Sequence, residues 1–195
     1  MKKTIKLMCF FLTVFFVSQT FSISTEAATR VYWYKKMASG GSILYWVDSG
    51  VTYSTQIRAA EVEIEIPAAG YNNPMTMSKT TTKSSSKMDF YQYSDANSST
   101  IARTYSYTSQ NATPMPVSDK DVYDWYWCKI ELNHPKLQGL ASAKRATIIV
   151  HEMLHAYGGK DTYSSDQTSS IMYGYSSGTA TGVTSDANSF LNNKY

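Results

Sequence analysis

The amino-acid sequence predicts one α+β domain, built from a twisted mixed β-sheet, a long helix near residue 150 and a short closing helix at the C-terminus. Three observations predict it. Short runs rich in β-branched and aromatic residues recur between residues 43 and 132. Residues 142–157 carry apolar side chains at helical spacing. The 195-residue chain shows no internal repeat and no second domain, and its length suits a single hydrophobic core.

The first segment stands apart from that domain. Lys2, Lys3 and Lys6 precede an uncharged apolar run at 7–17, shorter than the about 20 residues that span a bilayer. Small and polar residues follow, up to Thr25-Glu26-Ala27. Residues 1–27 therefore read as a signal peptide cleaved after Ala27, and the protein as secreted. A lipoprotein anchor at Cys9 does not fit, because Cys9 lies too early in the apolar run and Lys6 stands where a small or apolar residue belongs. Loss of three lysines and one glutamate lowers the formal charge from +3 to +1. No nucleic-acid footprint remains, and no lysine-rich patch suggests a membrane surface. Cys128 is then without an internal disulfide partner. Export without disulfides, with many Lys, Asn, Ser and Tyr, points to a Gram-positive bacterial secretome. A monomer is expected.

Residues 28–41 are polar, end in Ser39-Gly40-Gly41 and read as an N-terminal leader to a domain at 42–195. Residues 43–47 form a compact β-type run stopped by Asp48-Ser49-Gly50. From Thr52 the period becomes helical. Tyr53, Ile57, Ala60 and Ile64 share a face, Thr52 is a candidate cap, and Pro67 and Gly70 bound the segment. The alternation of Val62, Ile64 and Ile66 offers a strand instead; a helix through about Glu63 is the reading adopted. Residues 76–87, rich in Ser, Thr and Lys, read as an exposed loop or ragged hairpin. Strands follow at 88–93 and 101–107, then a proline-containing loop at 111–121. A third aromatic and β-branched strand covers 122–132 and ends at Asn133-His134-Pro135. The helix at 142–157 turns Ala143, Ala146, Ile149, Val150, Met153, Leu154 and Tyr157 to one face. Residues 159–183 are Gly-, Ser- and Thr-rich around an apolar island at 171–173. Residues 184–195 suit a closing helix, with Thr184 as cap and Phe190 and Leu191 packed inward.

The chemistry concentrates in His151-Glu152-Met153-Leu154-His155-Ala156-Tyr157-Gly158-Gly159-Lys160-Asp161. Histidines four apart on a helix project from the same face, where one metal ion takes both. A catalytic zinc site needs three protein ligands and an open position. Glu152 lies one residue off the histidine face, so it suits proton transfer with a water at the ion better than ligation. Gly158 permits a sharp exit from the helix, and Asp161 then returns as the candidate third ligand. His134 and Asp166 are its rivals. The chain has three histidines, two of them here, which argues against a chance occurrence.

HExxHxxGxxD from His151 to Asp161, followed by Ser170-Ile171-Met172-Tyr173, resembles the metzincin clan of zinc peptidases, whose extended motif precedes a Met-containing turn. Aspartate in the third position resembles snapalysin, a small secreted bacterial metzincin. The rest resembles compact matrixin-like enzymes, with Ile130-Glu131-Leu132-Asn133 and the Thr184, Asp186 and Tyr195 tail conforming loosely. The resemblance implies a metzincin-like, or zincin, fold and a zinc metalloendopeptidase. One catalytic Zn2+ would be held by His151, His155 and Asp161, Glu152 would be the general base and acid, and Met172 would pack under the ion. It implies a protein or peptide substrate paired with an edge strand near 100–105. No cysteine-switch segment is present. Gly159-Lys160 replaces the apolar residue usual after the glycine, and Gly174 stands where some metzincins carry a tyrosine ligand; Tyr173 and Tyr175 flank it.

Other features point less far. Asp119, Asp121 and Asp124 raise a structural Ca2+ site, but they lack the Gly and terminal Glu of an EF-hand loop. Cys128 reads as a buried free thiol. The rival to an active peptidase is a secreted binding protein of the same fold, catalytically weak or inactive, that keeps zinc as a staple. Glu152 argues against it, since a structural site has no use for that carboxylate. An adhesin with an incidental motif would bind no metal at all.

Overall fold

The computed structural model describes residues 30–195, so the signal segment expected at 1–27 lies outside the described residues. Five strands make one mixed sheet: β1 (Ser42–Val47), β2 (Thr76–Lys79), β3 (Met88–Tyr93), β4 (Ala102–Tyr107) and β5 (Trp127–Asn133). Their order in space is β2-β1-β3-β5-β4. Neighbours are parallel except at the last position, where β4 runs antiparallel to β5 and forms one edge. The parallel step from β1 to β2 needs a crossover, which α1 (Ser54–Glu65) supplies. Three further helices, α2 (His134–Leu137), α3 (Ser142–Tyr157) and α4 (Ser185–Lys194), complete the α+β domain that the sequence predicts.

The helical period wins over the alternating one in α1. Tyr53, Ile57, Ala60 and Ile64 are all buried, whereas Val62 and Ile66 are exposed. Tyr53, not Thr52, is the N-cap residue; the Thr52 amide and hydroxyl instead donate to Gln92 Oε1 at 3.1 and 2.9 Å. On β1, Ile43 and Tyr45 point inward and Leu44 outward. The Tyr45 hydroxyl donates to buried Glu61 of α1 at 2.5 Å, and Arg58 pairs with the same carboxylate.

Two expected boundaries move. Residues 76–79, read as part of an exposed loop or ragged hairpin, form the edge strand β2, in parallel register with Ser42 to Tyr45. The strand hides because Met77 alone of its four residues is buried. Residues 122–126, read as strand, lie outside β5. Trp125 forms an isolated bridge with Met37 instead, and Tyr126 is exposed. β5 ends at Asn133, as the Asn133-His134-Pro135 stop predicts, and His134-Pro135 leads into the short helix α2, because proline fits a first helical turn.

Helix α3 spans the residues expected of it, but its buried face starts late. Ala143 is exposed and burial begins at Thr147, then takes in Ile149, Val150, Met153, Leu154 and Tyr157. The helix packs against α1 and across β4 and β5. Thr184 is the N-cap residue of α4, and Phe190 and Leu191 are buried.

Residues 30–38 lie against the domain. Val31 and Met37 are buried. Tyr32 forms a bridge with Gly159 just past α3, and the Trp33 amide donates to Gly158 O at 2.8 Å. Arg30 pairs with Asp121 at 3.1 Å, Tyr34 N donates to Asp121 at 2.7 Å and Lys36 N donates to Asp124 at 3.0 Å. Among the described residues, no helix is long and apolar enough to cross a membrane.

Candidate metal centre

Helix α3 delivers two imidazoles to one point. His151 and His155 are one turn apart, with their Nε2 atoms separated by 3.0 Å. Each ring is held from behind. His151 Nδ1 lies 2.6 Å from Ile171 O and His155 Nδ1 lies 2.9 Å from Gly159 O. A carbonyl only accepts, so each Nδ1 carries the proton and donates it. In the neutral rings both Nε2 lone pairs then face the same space.

The exit from α3 brings the third group. Gly158 adopts a left-handed φ of 114°. Its N–H bonds His155 O at 3.1 Å and the Gly159 N–H bonds Leu154 O at 2.8 Å, the paired bonds of a Schellman turn. Beyond it the chain is pinned on both sides. Lys160 N donates to Val31 O at 2.7 Å, Thr162 N to Met172 O at 2.9 Å and Gly174 N to Thr162 O at 3.0 Å. Asp161, between these anchors, places Oδ1 at 3.1 Å from His151 Nε2 and 3.3 Å from His155 Nε2. The Tyr163 hydroxyl donates to Oδ2 at 3.2 Å.

Asp161 Oδ1 is buried without a hydrogen-bond partner. Three lone-pair atoms thus converge with no donor among them, which is unfavourable unless a cation or a proton sits between them. The ligand atoms of His151, His155 and Asp161 all lie within 4.8 Å of one another, a group that could hold a metal ion. Two imidazole nitrogens and one carboxylate oxygen, with carbonyl partners behind both rings, make a donor set that fits zinc. In the metal-free state, burial works against a charge on His151, but Asp161, Glu152 and the Ile171 carbonyl outweigh it and raise its pKa. Burial likewise opposes charge on Asp161, yet the two imidazoles hold its carboxyl well below the usual carboxylate range.

Glu152 lies beside this group, buried, and faces β4. The Thr104 hydroxyl is 2.7 Å from Glu152 Oε2 and 2.9 Å from the Glu152 carbonyl oxygen. The edge strand therefore orients the carboxylate. Two cavities of about 550 and 470 Å3 meet here, and His151, Glu152 and Asp161 line both. The larger extends between α3 and residues 170–180. The smaller runs beside β4 toward Trp33, Lys120 and Lys160.

The turn at 170–173 supports the centre from below. Met172 is fully buried, and a Cβ on Gly159 would come within 2.8 Å of its Cε. Met172 fills the space that a side chain at position 159 would need. A Cβ on Gly174 would lie 2.4 Å from the Tyr163 ring and 3.1 Å from Asp161 Oδ1, so glycine there lets Tyr163 reach Asp161. Tyr173 and Tyr175 stack edge-on at the rim of the larger cavity.

The other candidates lie elsewhere. His134 Nδ1 is 2.9 Å from the Tyr53 hydroxyl, and exposed Asp166 lines a separate cavity. Asp121 and Asp124 are engaged with Arg30, Tyr34 and Lys36 as described, and Asp119 accepts from Ser118. Cys128 is a buried free thiol, pushed up to about 12 by burial. Three residues at the centre escaped the sequence reading. Thr104 and Tyr163 sit in polar, aromatic stretches with no distinguishing pattern. Lys120 is buried although its loop reads as solvated; burial lowers its pKa while Cys128, Asp161 and Glu152 act in the opposite sense.

Fold and site together define an α+β domain with a His-His-Asp group able to hold a metal ion. No family model matches the chain, and no curated protein sequence does. Among solved structures it is similar to high choriolytic enzyme 1, a hatching-enzyme zinc protease of the medaka fish Oryzias latipes. The identity is 14% and the TM-score 0.42, over 86% of this chain and 97% of that one.

Proposed function

We propose that this chain is a secreted zinc-dependent endopeptidase of the metzincin type, with His151, His155 and Asp161 as ligands and Glu152 as general base and acid. The observation that carries the reading is the convergence of three lone-pair atoms beside a buried, oriented carboxylate in an open cleft. A structural staple would not need that carboxylate or that cleft.

Zinc bound there supplies a Lewis acid that polarises a carbonyl and makes water acidic near neutral pH. The residues of the chain do the rest. Glu152 takes the proton of the attacking water and delivers it to the leaving amine, held in line by Thr104. β4, at the sheet edge beside the cleft, offers backbone groups to an extended peptide. Tyr163 orients Asp161, and the Ile171 and Gly159 carbonyls orient the imidazoles. Secretion follows from the lysine-led apolar segment before Ala27, and N-terminal sequencing of exported protein tests it.

Metal analysis of the purified protein, then cleavage of casein with and without a chelator, tests the main reading. Stoichiometric zinc with chelator-sensitive cleavage supports it. Zinc without cleavage favours a secreted binding protein, and absence of metal defeats both. Glu152→Ala is expected to keep zinc and fold and lose cleavage, whereas His155→Ala is expected to lose zinc and thermal stability.

A further inference from the structure

Lys120 is a buried lysine at the wall of the cleft with no ion-pair partner among the described residues. Its relative exposure is 7%, and it lines the smaller cavity together with Glu152 and the three candidate ligands. Among the described residues, no carboxylate lies within ion-pair distance of it and no hydrogen bond is formed by its ammonium. The other cations at the cleft divide in two. Arg103 is taken by Glu131 at 2.7 Å, and Lys144 donates to Gly178 O at 3.1 Å. Lys160, like Lys120, forms no ion pair among the described residues; both flank the Trp33 ring, at 4.9 and 5.9 Å from its centroid.

Nor is Lys120 a loosely held surface residue that happens to fold inward. It sits in the turn at 117–121, and residues 30–36 clamp that turn through the Asp121 contacts already described and through Lys35 N to Lys120 O. Burying an ammonium without an ion-pair partner is costly. A cost maintained by such scaffolding, in a cavity open to the reacting groups, fits a counter-charge that arrives with the ligand.

We infer that Lys120, backed by Lys160, is a specificity-determining residue that receives a carboxylate of the bound peptide in the cavity beside β4. The inference rests on the peptidase reading for its substrate class. The carboxylate has two sources, an Asp or Glu side chain or a free peptide C-terminus, and one ammonium wall serves either.

The test uses zinc-loaded Glu152→Gln protein for binding and the zinc-loaded wild type for cleavage. Probes are matched peptides with Glu or Gln near the scissile bond, and matched peptides ending in a carboxylate or an amide. Calorimetry is expected to give at least tenfold tighter binding for the acid in one of these two pairs, the pair naming the source. Lys120→Met is expected to reduce that preference to less than threefold and Lys120→Glu to invert it. In cleavage, Lys120→Met should raise KM for the acidic peptide, leaving kcat and the neutral peptide unchanged. Equal binding of acid and amide by Lys120-containing protein overturns the inference, and this holds even if the variants fail to fold. A fall in kcat shared by acidic and neutral peptides also overturns it, since Lys120 would then act on the reacting carbonyl. Cleavage without discrimination sinks this inference alone; discrimination in binding without any cleavage sinks the peptidase reading alone.

Discussion

Met172 lies directly against Gly159, so closely that a Cβ there would be 2.8 Å from Met172 Cε and 2.9 Å from the Leu154 carbonyl oxygen. The Gly159 carbonyl holds His155, and the residue before Met172 holds His151. One close approach therefore ties together the supports of both imidazoles.

Gly159→Ala is expected to destabilise the protein by about 1–3 kcal/mol, as overpacking of a filled core does. It should also weaken zinc binding, because the His155 ring loses its fixed carbonyl. Met172→Leu, nearly conserving volume, is expected to cost less than about 1.5 kcal/mol. Urea denaturation of the zinc-loaded and chelated proteins measures both. Equal sensitivity of the two forms to Gly159→Ala would separate the packing from the metal centre.

The metal-free protein should respond to pH through His151 and Asp161. Burial opposes both charges, yet His151 is raised from its ordinary 6.5 and Asp161 is depressed from its ordinary 3.8. A depressed carboxyl stabilises the fold above its unfolded pKa, and that stability is lost as pH falls through the folded value. A raised imidazole stabilises below its unfolded pKa, and that stability is lost as pH rises through the folded value. The pair therefore helps most between about pH 4 and 6.5. Chelated protein is expected to melt at lower temperature at pH 8 than at pH 6, and Asp161→Asn to flatten the difference. Zinc binding should strengthen over the same rise, because the metal displaces the proton from Nε2.

How far the sequence reached follows from where each residue's partner lies. Helix α3 was legible because its signals are local: an apolar stripe, and a glycine where the chain must turn. β1, β3 and β4 were legible for the same reason. β2 was not, since Met77 is its one buried residue and the strand exists only by pairing with β1. Residues 122–126 carry strand-like side chains, but their neighbours are residues 34–38, distant in sequence. The candidate ligands lie within eleven residues and could be read as a motif. Thr104 and Lys120 could not, because their roles depend on how β4 and the turn at 117–121 are placed against α3.

Thr104 tests whether the orientation of Glu152 matters. Its hydroxyl reaches the carboxylate at 2.7 Å, a hydrogen bond to a charged group worth about 1.5–3 kcal/mol. Thr104→Val keeps shape and removes the donor. We expect kcat to fall at least about tenfold, with zinc content and melting temperature little changed. Thr104→Ser should restore most of the rate. A wild-type kcat in Thr104→Val would remove Thr104 from the working site.

Residues 30–38 are expected to be integral to the folded protein. Met37 is fully buried beside Trp125, its amide donates to the Tyr195 hydroxyl at 3.0 Å, and that hydroxyl donates to Tyr157 O at 2.8 Å. The segment thus joins Tyr195 to the end of α3, two residues from His155. Met37→Ala leaves a cavity and should cost about 2–5 kcal/mol. Val31 reaches the centre by another route, through its carbonyl bond to Lys160 N next to Asp161. A chain lacking residues 30–36 should therefore lose both stability and zinc affinity, whereas Met37→Ala should lose stability first. Denaturation and zinc titration of the two proteins distinguish these effects. A truncated chain with wild-type zinc affinity would mean that the Met172 side of Asp161 is sufficient to hold it.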